Sequence, residues 1–461
     1  MSILADARAV LATGPVCDAC LGRPFADRSF GLTNRQRGRA LRTTVAMDDD
    51  EPYESPGECW VCEGQCQRHD EWAERVVDAL SGVDFDTYQV GTRVPPLIEE
   101  NDALLREEAG LADDSAEGTS AGSRPSAGNA GESFKSAFNR EVGKRVGAAT
   151  ESEVDFERPD VVGLLNLERG DVDVQVNPAF VYGRYRKLAR DVPQTEWPCR
   201  ECGGSGKQFD PDEGEQACEH CDGAGDMYPT SVEGEVAPHV QEAMDGDEAV
   251  FHGAGREDVD ALMLGTGRPF VVEVKHPRAR TPDLDELEGA INESDLVEVE
   301  ALRLATHGMV ERVKEHPASK TYRAQVACEG PVAAGDLDAV LAEIDGATIE
   351  QYTPGRVDHR RAGKTRTRDV YEASGHLVPA ESDRDPGDPG EEPAESDRAE
   401  LEFHTEGGLY VKELVSGDEG RTEPSLAGLL GVGAEVTALD VLSVEGEEEP
   451  FVTEEYVRGS D

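Results

Sequence analysis

One glycine-rich segment carries the carboxylate best suited to chemistry. Asp258 follows residues 253–257, Gly-Ala-Gly-Arg-Glu, and precedes a strand-like run at 269–275. The glycines favour a tight loop and the strand would anchor it, so that the carboxylate is presented at a cleft. A carboxylate held in this way can act as a nucleophile. Taken alone, a Gly-Arg-x-Asp loop is a weak signal whose default interpretation is a surface turn.

Ten cysteines, mostly in Cys-x-x-Cys pairs, indicate metal binding rather than disulfides in a reducing compartment. The two later pairs have zinc-ribbon spacing and run into glycines, which favours a zinc knuckle. The two earlier pairs could form one structural zinc site or remain unrelated buried pairs, with Cys66 and His69 as spare ligands. The predicted ligands are Cys17, Cys20, Cys59 and Cys62 at the first site and Cys199, Cys202, Cys218 and Cys221 at the second.

At several points in order, the chain resembles the archaeal and eukaryotic family of THUMP-containing synthases that make pseudouridine at positions 54 and 55 of tRNA. The catalytic segment of that family is similar to residues 255–260, with Gly-x-Gly-Arg-Pro-Phe behind them. Four further stretches carry the resemblance: 182–187 with 193–195, 320–322, 351–361, and 408–414. The resemblance implies an isomerase with a THUMP-like domain, an N-terminal zinc site and Asp258 as nucleophile.

The family reaction breaks the N1 glycosidic bond of uridine, turns the uracil and rejoins it through C5. The carboxylate could add to the base or take part at C1′, and these alternatives stay open. In a buried pocket it needs a cation nearby, for which Lys412 is the candidate. Tyr322 offers an aromatic face and a phenol for the C5 proton. The predicted substrate contacts are Tyr322, Tyr410, Arg256 and Leu414.

Two basic clusters are candidate phosphate-binding surfaces in an acidic chain. One surrounds Tyr185 and the other follows residues 351–354. For any single arginine, the alternative is an ordinary surface ion pair. The predicted RNA contacts are Arg184, Arg186, Lys187, Arg356, Arg360 and Arg361.

The composition bears on the partner and the compartment. The 461 residues include 97 acidic and 45 basic ones, giving a formal net charge of −52 spread along the chain. This indicates adaptation to concentrated salt, as in haloarchaea, rather than a mesophilic protein with disordered acidic segments. At about 1 M salt the Debye length is only ~3 Å, so repulsion does not exclude tRNA. Because no apolar leader and no run of ~20 apolar residues occur, we expect a cytoplasmic protein.

The pattern of elements predicts an α+β fold. We expect a zinc-binding module (1–70), a THUMP-like domain (71–195), an inserted zinc knuckle (196–228) and a pseudouridine-synthase domain on a mixed, largely antiparallel sheet (229–461). Acidic segments at 113–133 and 377–400 are expected to be an insertion and a linker. Predicted strands cover 88–94, 161–176, 269–275, 321–328 and 409–415, and predicted helices cover 71–80 and 336–344.

Three other functions compete with the isomerase. A non-catalytic tRNA-binding adaptor would use the zinc and THUMP-like modules alone. Methylation or thiolation would want a glycine-rich nucleotide loop, and none occurs between a strand and a helix. The cysteine repeats resemble those of J-domain chaperones, but no His-Pro-Asp module accompanies them. We therefore expect a monomeric tRNA pseudouridine synthase acting on the TΨC arm, with structural zinc and no organic cofactor.

Overall fold

The computed structural model describes residues 2–54, 57–111, 131–210, 214–355, 362–379 and 393–459. The chain folds as two compact units, Met1–Asn177 and Pro178–Asp461. The sequence placed a boundary near residue 195, but strand Ala179–Lys187 pairs with strands of the C-terminal unit and belongs to it. Within the described ranges, every helix is too short or too polar to cross a bilayer.

The N-terminal unit combines helices with a four-stranded sheet, whose strands in spatial order are β2 (Glu153–Val154), β1 (Thr87–Arg93), β3 (Val161–Asn166) and β4 (Asp171–Val176). Strand β1 runs parallel to β2 and β3, and β4 is antiparallel to β3. Helix α4 (His69–Ala79) buries Trp72, Ala73 and Val76, which lie on one face at helical spacing. The elements are α1 (Ile3–Ala12), α2 (Asp18–Gly22), α3 (Asn34–Asp48), α4 (His69–Ala79), β1 (Thr87–Arg93), α5 (Pro96–Glu108), α6 (Phe134–Thr150), β2 (Glu153–Val154), β3 (Val161–Asn166) and β4 (Asp171–Val176).

The C-terminal unit alternates long strands with short helices. Its elements are β5 (Ala179–Lys187), β6 (Lys207–Asp210), β7 (Gly214–Ala217), α7 (Val232–Ala243), β8 (Glu248–Gly253), β9 (Leu262–Lys275), α8 (Leu284–Ile291), β10 (Val297–Ala305), α9 (His307–Glu315), β11 (Ala318–Ala333), α10 (Ala334–Ile344), β12 (Thr348–Tyr352), β13 (Thr365–Leu377), β14 (Glu395–Thr405), α11 (Val411–Ser416), β15 (Thr422–Glu423), α12 (Leu426–Leu430) and β16 (Ala434–Gly446).

One 10-stranded sheet organises this unit in the order β10-β5-β9-β16-β11-β14-β13-β12-β15, with β8 pairing β9. Its pairs are antiparallel except β9 with β16, where Leu262 lies opposite Asp440 in a parallel register. The run Phe270, Val271 and Val272 in β9 is fully buried, as expected for a strand covered on both faces. The predicted α+β class with a mixed, largely antiparallel sheet is confirmed.

Helix α11 replaces the strand that the sequence predicts over 409–415, so that prediction was wrong. Val411, Leu414 and Val415 are buried together, and their spacing puts them on one face of a helix. Gly417, with φ 78°, ends the helix in the left-handed conformation. Over residues 409–415, the pattern of apolar and polar side chains is too short to distinguish the two-residue period of a strand from the 3.6-residue period of a helix.

The two acidic segments fall largely outside the described residues. Of the predicted insertion at 113–133, the structure describes 131–133. Of the predicted linker at 377–400, it describes 377–379 and 393–400. Residues from Glu395 onward form β14, in which Ser396, Ala399 and Leu401 are buried. The sequence Pro-Ala-Glu-Ser-Asp-Arg at 393–398, which also occurs at 379–384, therefore lies partly in a strand, and its Ser396 is buried.

Candidate active site

The loop that carries Asp258 connects β8 to β9. These two strands are antiparallel neighbours, with Gly253 opposite Phe270, so the loop projects from the end of a rigid hairpin. Gly255 has φ +75°, a conformation that L side chains rarely adopt. The glycine therefore lets the chain turn and bring Asp258 to the edge of the sheet.

A buried ion pair joins this loop to strand β9. Nε of Arg268 is 2.8 Å from Oε2 of Glu257, and both side chains are only 1% exposed. Nη1 of Arg268 also donates to the carbonyl of Ala254 at 2.7 Å, and the Tyr185 hydroxyl donates to Glu257 at 2.9 Å. Burial, and then the Glu257 charge, raise the pKa of Tyr185. These contacts connect the first half of the loop, residues 254–257, to strands β5 and β9.

Two further polar side chains hold the backbone of the loop. Nε2 of Gln194 donates to the Gly255 carbonyl at 2.9 Å. The ammonium of Lys187 donates to the carbonyls of Asp258 at 3.3 Å and Val259 at 3.0 Å. Burial lowers the pKa of Lys187. The conformation of the loop is therefore fixed by two side chains: Lys187, at the end of β5, and Gln194, in the segment that follows β5.

Helix α11 brings a cation to the carboxylate. Nζ of Lys412 lies 3.1 Å from Oδ2 of Asp258 and 3.4 Å from Oδ2 of Asp260. The Lys412 side chain is 27% exposed, whereas Asp258 is 42% exposed. The predicted pairing of Lys412 with Asp258 agrees with this geometry. The sequence-based expectation of a buried carboxylate does not, since Asp258 lies at the mouth of a cleft.

Strand β11 supplies a phenol and an ammonium on the same face. Tyr322 and Lys320 both line the cleft beside Asp258. Burial raises the pKa of Tyr322 to about 12, and the Asp258 charge acts in the same direction. Burial and the nearby Arg268 charge lower the pKa of Lys320 to about 8. The Tyr322 phenol is therefore neutral at pH 7, and the Lys320 ammonium loses its proton more easily than an ordinary lysine.

Residues at the start of α11 form a further part of the wall of the cleft. Tyr410 precedes the helix, and its backbone is fixed by Gln351, which accepts from the Tyr410 N–H at 2.9 Å and donates to its carbonyl at 3.0 Å. Tyr410 lines the cleft. Leu414 does not: it is fully buried in the core behind the helix. Its predicted substrate contact is corrected, because its position on α11 faces inward.

These groups surround a cavity of about 520 Å³. Five of the predicted catalytic or substrate-binding residues converge on it. Its lining is Trp197, Gly255, Arg256, Glu257, Asp258, Val259, Ala261, Arg268, Lys320, Tyr322, Gly408, Leu409, Tyr410, Val411, Lys412, Leu439 and Val441.

The basic cluster around Tyr185 is an internal support rather than a phosphate-binding surface. Arg184 donates to the carbonyls of Thr266 and Gly267, and its side chain is only 14% exposed. Arg186 forms ion pairs with Glu298 and Glu300. Lys187 is fully buried. The predicted RNA contacts at these positions are corrected, because their donors are used within the sheet. The other predicted contacts, Arg356, Arg360 and Arg361, lie outside the described residues.

The N-terminal cysteines form a cluster that differs from the predicted set in one member. Four thiols lie within 4.8 Å of one another, those of Cys17, Cys20, Cys62 and Cys66. Gly64, with φ 82°, and a short 3-10 helix at Gln65–Gln67 turn the chain and bring Cys66 back. Cys59, which the sequence proposed instead, is buried beside the cluster, where hydrogen bonding with Cys17 lowers its pKa to about 7.

The second cluster consists of the four cysteines that the spacing predicts. Sγ–Sγ distances of 3.9 Å and 3.8 Å match the ~3.8 Å edge of a tetrahedron with ~2.3 Å zinc–sulfur bonds. The N–H groups of Gly206 and Gly225 each donate to a thiol at 3.2 Å. Both clusters therefore fit a tetrahedral, structural metal ion by donor type and spacing. The second set is Cys199, Cys202, Cys218 and Cys221.

Sequence reasoning missed the residues that support the site. Gln194 and Arg268 belong to stretches that carried the family resemblance, but no role was assigned to them. Lys320 precedes Tyr322 by two residues, so strand alternation placed it on the same face. Trp197 had no signal beyond its position two residues before the first knuckle cysteine, Cys199.

Two family models match the chain. The model described as Pus10, C-terminal, matches residues 180–445, and the archaeal Pus10 THUMP domain matches residues 72–166. The first covers the whole cleft. The second covers three of the four strands of the sheet in the N-terminal unit, β1, β2 and β3, and ends before β4.

Curated relatives match the chain over nearly its full length. A tRNA pseudouridine synthase Pus10 from Halorubrum lacusprofundi is 60% identical over 99% of this chain and 100% of its own. Proteins with the same name from Methanothrix thermoacetophila and Methanothermobacter marburgensis are 40% and 41% identical. The alignments cover 96% and 95% of this chain and 95% and 97% of theirs.

Proposed function

Because the chain belongs to the Pus10 family of tRNA pseudouridine synthases, which are isomerases, we propose that it converts uridine 54, uridine 55 or both in the TΨC arm of tRNA to pseudouridine, with Asp258 as nucleophile. The observation that carries the proposal is the convergence of Asp258, Lys412 and Tyr322 on one cavity. The cavity, about 520 Å³, is large enough for an everted nucleoside.

The isomerisation needs a nucleophile but no net redox change. The N1–C1′ bond breaks, a C5–C1′ bond forms, the C5 hydrogen leaves as a proton, and N1 gains one. Asp258 would add to the base or intercept C1′, and is released when the new bond is complete. The Lys412 ammonium, 3.1 Å from the carboxylate, orients it and offsets its negative charge.

Tyr322 would stack on the uracil and hold its hydroxyl near C5. Its raised pKa, about 12, means that the phenol is protonated in the resting site. It can therefore receive the C5 proton only while it passes its own proton onward. Lys320, with a pKa lowered to about 8, lines the same cleft, and its neutral amine form would accept the phenol proton and become an ammonium.

We also assign zinc to both cysteine clusters. Thiolate donors at tetrahedral spacing select zinc over magnesium or calcium. With four protein ligands each, the sites would be structural. The chain would act as a monomer in the cytoplasm, and the predicted contacts at Arg356, Arg360 and Arg361 would bind tRNA phosphates.

Tritium release from a tRNA transcript labelled at C5 of uridine tests the proposal. Asp258→Asn should abolish release while tRNA binding stays within about twofold, since the substitution preserves size. Asp260→Asn, on the same loop and also near Lys412, is the matched control and should lose far less. Transcripts with cytidine at position 54 or at position 55 assign the target.

An adaptor without catalysis makes the opposite prediction. The wild type would then bind tRNA and release no tritium, and Asp258→Asn would change nothing. Full release by Asp258→Asn would likewise contradict the role given to this carboxylate.

A further inference from the structure

Backbone hydrogen bonds join the two segments through which the chain enters and leaves the cysteine knuckle, residues 197–199 and 225–227. These two segments are called the neck of the knuckle. Pro198 and Asp226 form an antiparallel bridge. The Met227 N–H donates to the Trp197 carbonyl at 2.9 Å, and the Cys199 N–H donates to the Gly225 carbonyl at 2.7 Å. The chain thus enters and leaves the knuckle side by side, and Trp197 is fixed at its base.

The Trp197 side chain points from this neck into the catalytic cleft. Its ring packs edge-on against Tyr228, with centroids 5.5 Å apart and planes at 76°. It also lines the cavity that contains Asp258. The knuckle insertion therefore contributes one wall of the site.

Arg256, two residues before Asp258, is held against this ring. Its guanidinium carbon lies 4.8 Å from the Trp197 ring centroid, within cation–π range. Arg256 is otherwise exposed. A guanidinium that stacks by its face can still donate from its edge, the geometry that suits a phosphate oxygen.

The same short segment also holds the loop from the other side. Gln194, three residues before Trp197, donates to the Gly255 carbonyl at 2.9 Å and to the Tyr185 hydroxyl at 2.9 Å. Residues 194–197 therefore hold the catalytic loop at two points. Gln194 binds the loop backbone, and Trp197 packs against Arg256 of the loop. The hydrogen bonds at the neck of the knuckle fix the C-terminal end of this segment, where Trp197 lies.

We propose that Trp197 is a positioning residue that couples the metal-binding knuckle to the active site by holding Arg256 against the cavity wall for the backbone phosphate of the target nucleotide. This inference rests on the proposed function for its kinetic consequence, but not for the coupling itself. Metal binding by the four thiolates would lock the neck and so fix the indole.

A double-mutant cycle tests the contact. Trp197→Leu should lower the single-turnover rate at saturating tRNA about three- to fivefold, the loss of one exposed cation–π contact, and Arg256→Gln, which also removes the phosphate contact, should lower it at least as much. The double variant should be no slower than the worse single one, because both remove the same interaction. Trp197→Phe should restore part of the rate. Trp60→Phe, in the N-terminal unit, is the control that should leave it unchanged. Losses that multiply, or a wild-type rate in Trp197→Leu, would overturn the proposal.

A fluorescence measurement tests the coupling without activity. The Trp197 emission is obtained as the difference between the wild type and Trp197→Phe. Cys202→Ser should release metal from the knuckle, shift this emission to the red and lower the rate, whereas Cys328→Ser, outside both clusters, should do neither. An unchanged Trp197 emission and rate in metal-depleted Cys202→Ser would refute the coupling. A wild type that releases no tritium, yet shows the emission change, would refute the proposed function and leave the coupling intact.

Discussion

Removing the charge of Glu257 should destabilise the C-terminal unit and misplace the catalytic loop. Glu257→Gln keeps the shape of the side chain and an oxygen for the Tyr185 hydroxyl. It leaves the guanidinium of Arg268, 1% exposed, with the neutral Ala254 carbonyl as its remaining described partner. Removing one partner of a buried ion pair costs about 3–5 kcal/mol. That is a large share of the roughly 5–15 kcal/mol that stabilises a folded protein.

The expected change in melting temperature follows from the size of the unit. At about 2–4 °C per kcal/mol, the midpoint should fall by about 6–20 °C. Scanning calorimetry in molar KCl measures it, since the acidic chain is expected to need salt. A loop displaced by about 1 Å should also slow tritium release on the order of 100-fold below the melting point.

Two matched variants separate this explanation from a generic effect. Glu248→Gln breaks the ion pair with Lys275, where the side chains are 58% and 39% exposed, and should change the midpoint little. Adding Arg268→Gln to Glu257→Gln should recover stability relative to Glu257→Gln, because the uncompensated charge is gone. Equal midpoints for Glu257→Gln and Glu248→Gln would refute the reasoning.

Three further outcomes are expected. Tyr322→Phe keeps the aromatic face but loses the hydroxyl, so tRNA affinity should stay within about twofold while single-turnover release falls about 100-fold or more; equal rates would exclude the phenol from proton transfer. Burial lowers the pKa of Lys320 from 10.5 to about 8, so the folded chain loses this proton at a lower pH than the unfolded chain. The free energy of unfolding should therefore rise with pH between these two values. In Lys320→Met, the free energy of unfolding measured by denaturation should not show that rise. Cys66→Ser should lose about one zinc per chain by elemental analysis, whereas Cys59→Ser and Cys328→Ser should retain it, and the reverse order for Cys66 and Cys59 would restore the set predicted from spacing.

Local sequence patterns determined much of this protein. Loop glycines around Asp258, strand alternation around Tyr322 and the spacing of the knuckle cysteines depend on neighbours in the chain, and these features appear as predicted. The α+β class and the family were likewise readable, because motif order along the chain needs no three-dimensional information. The acidic composition agrees with the haloarchaeal relative.

Only the tertiary structure decided which polar groups face the cleft. Arg184, Arg186 and Lys187 form a basic run in sequence, yet sheet pairing turns their donors onto carbonyls and carboxylates contributed by distant segments. Lys412 reaches Asp258 from a helix whose period was hidden in a short apolar run. Contacts of this kind join residues far apart in the chain, so their partners are set by topology and packing, which local periodicity does not encode.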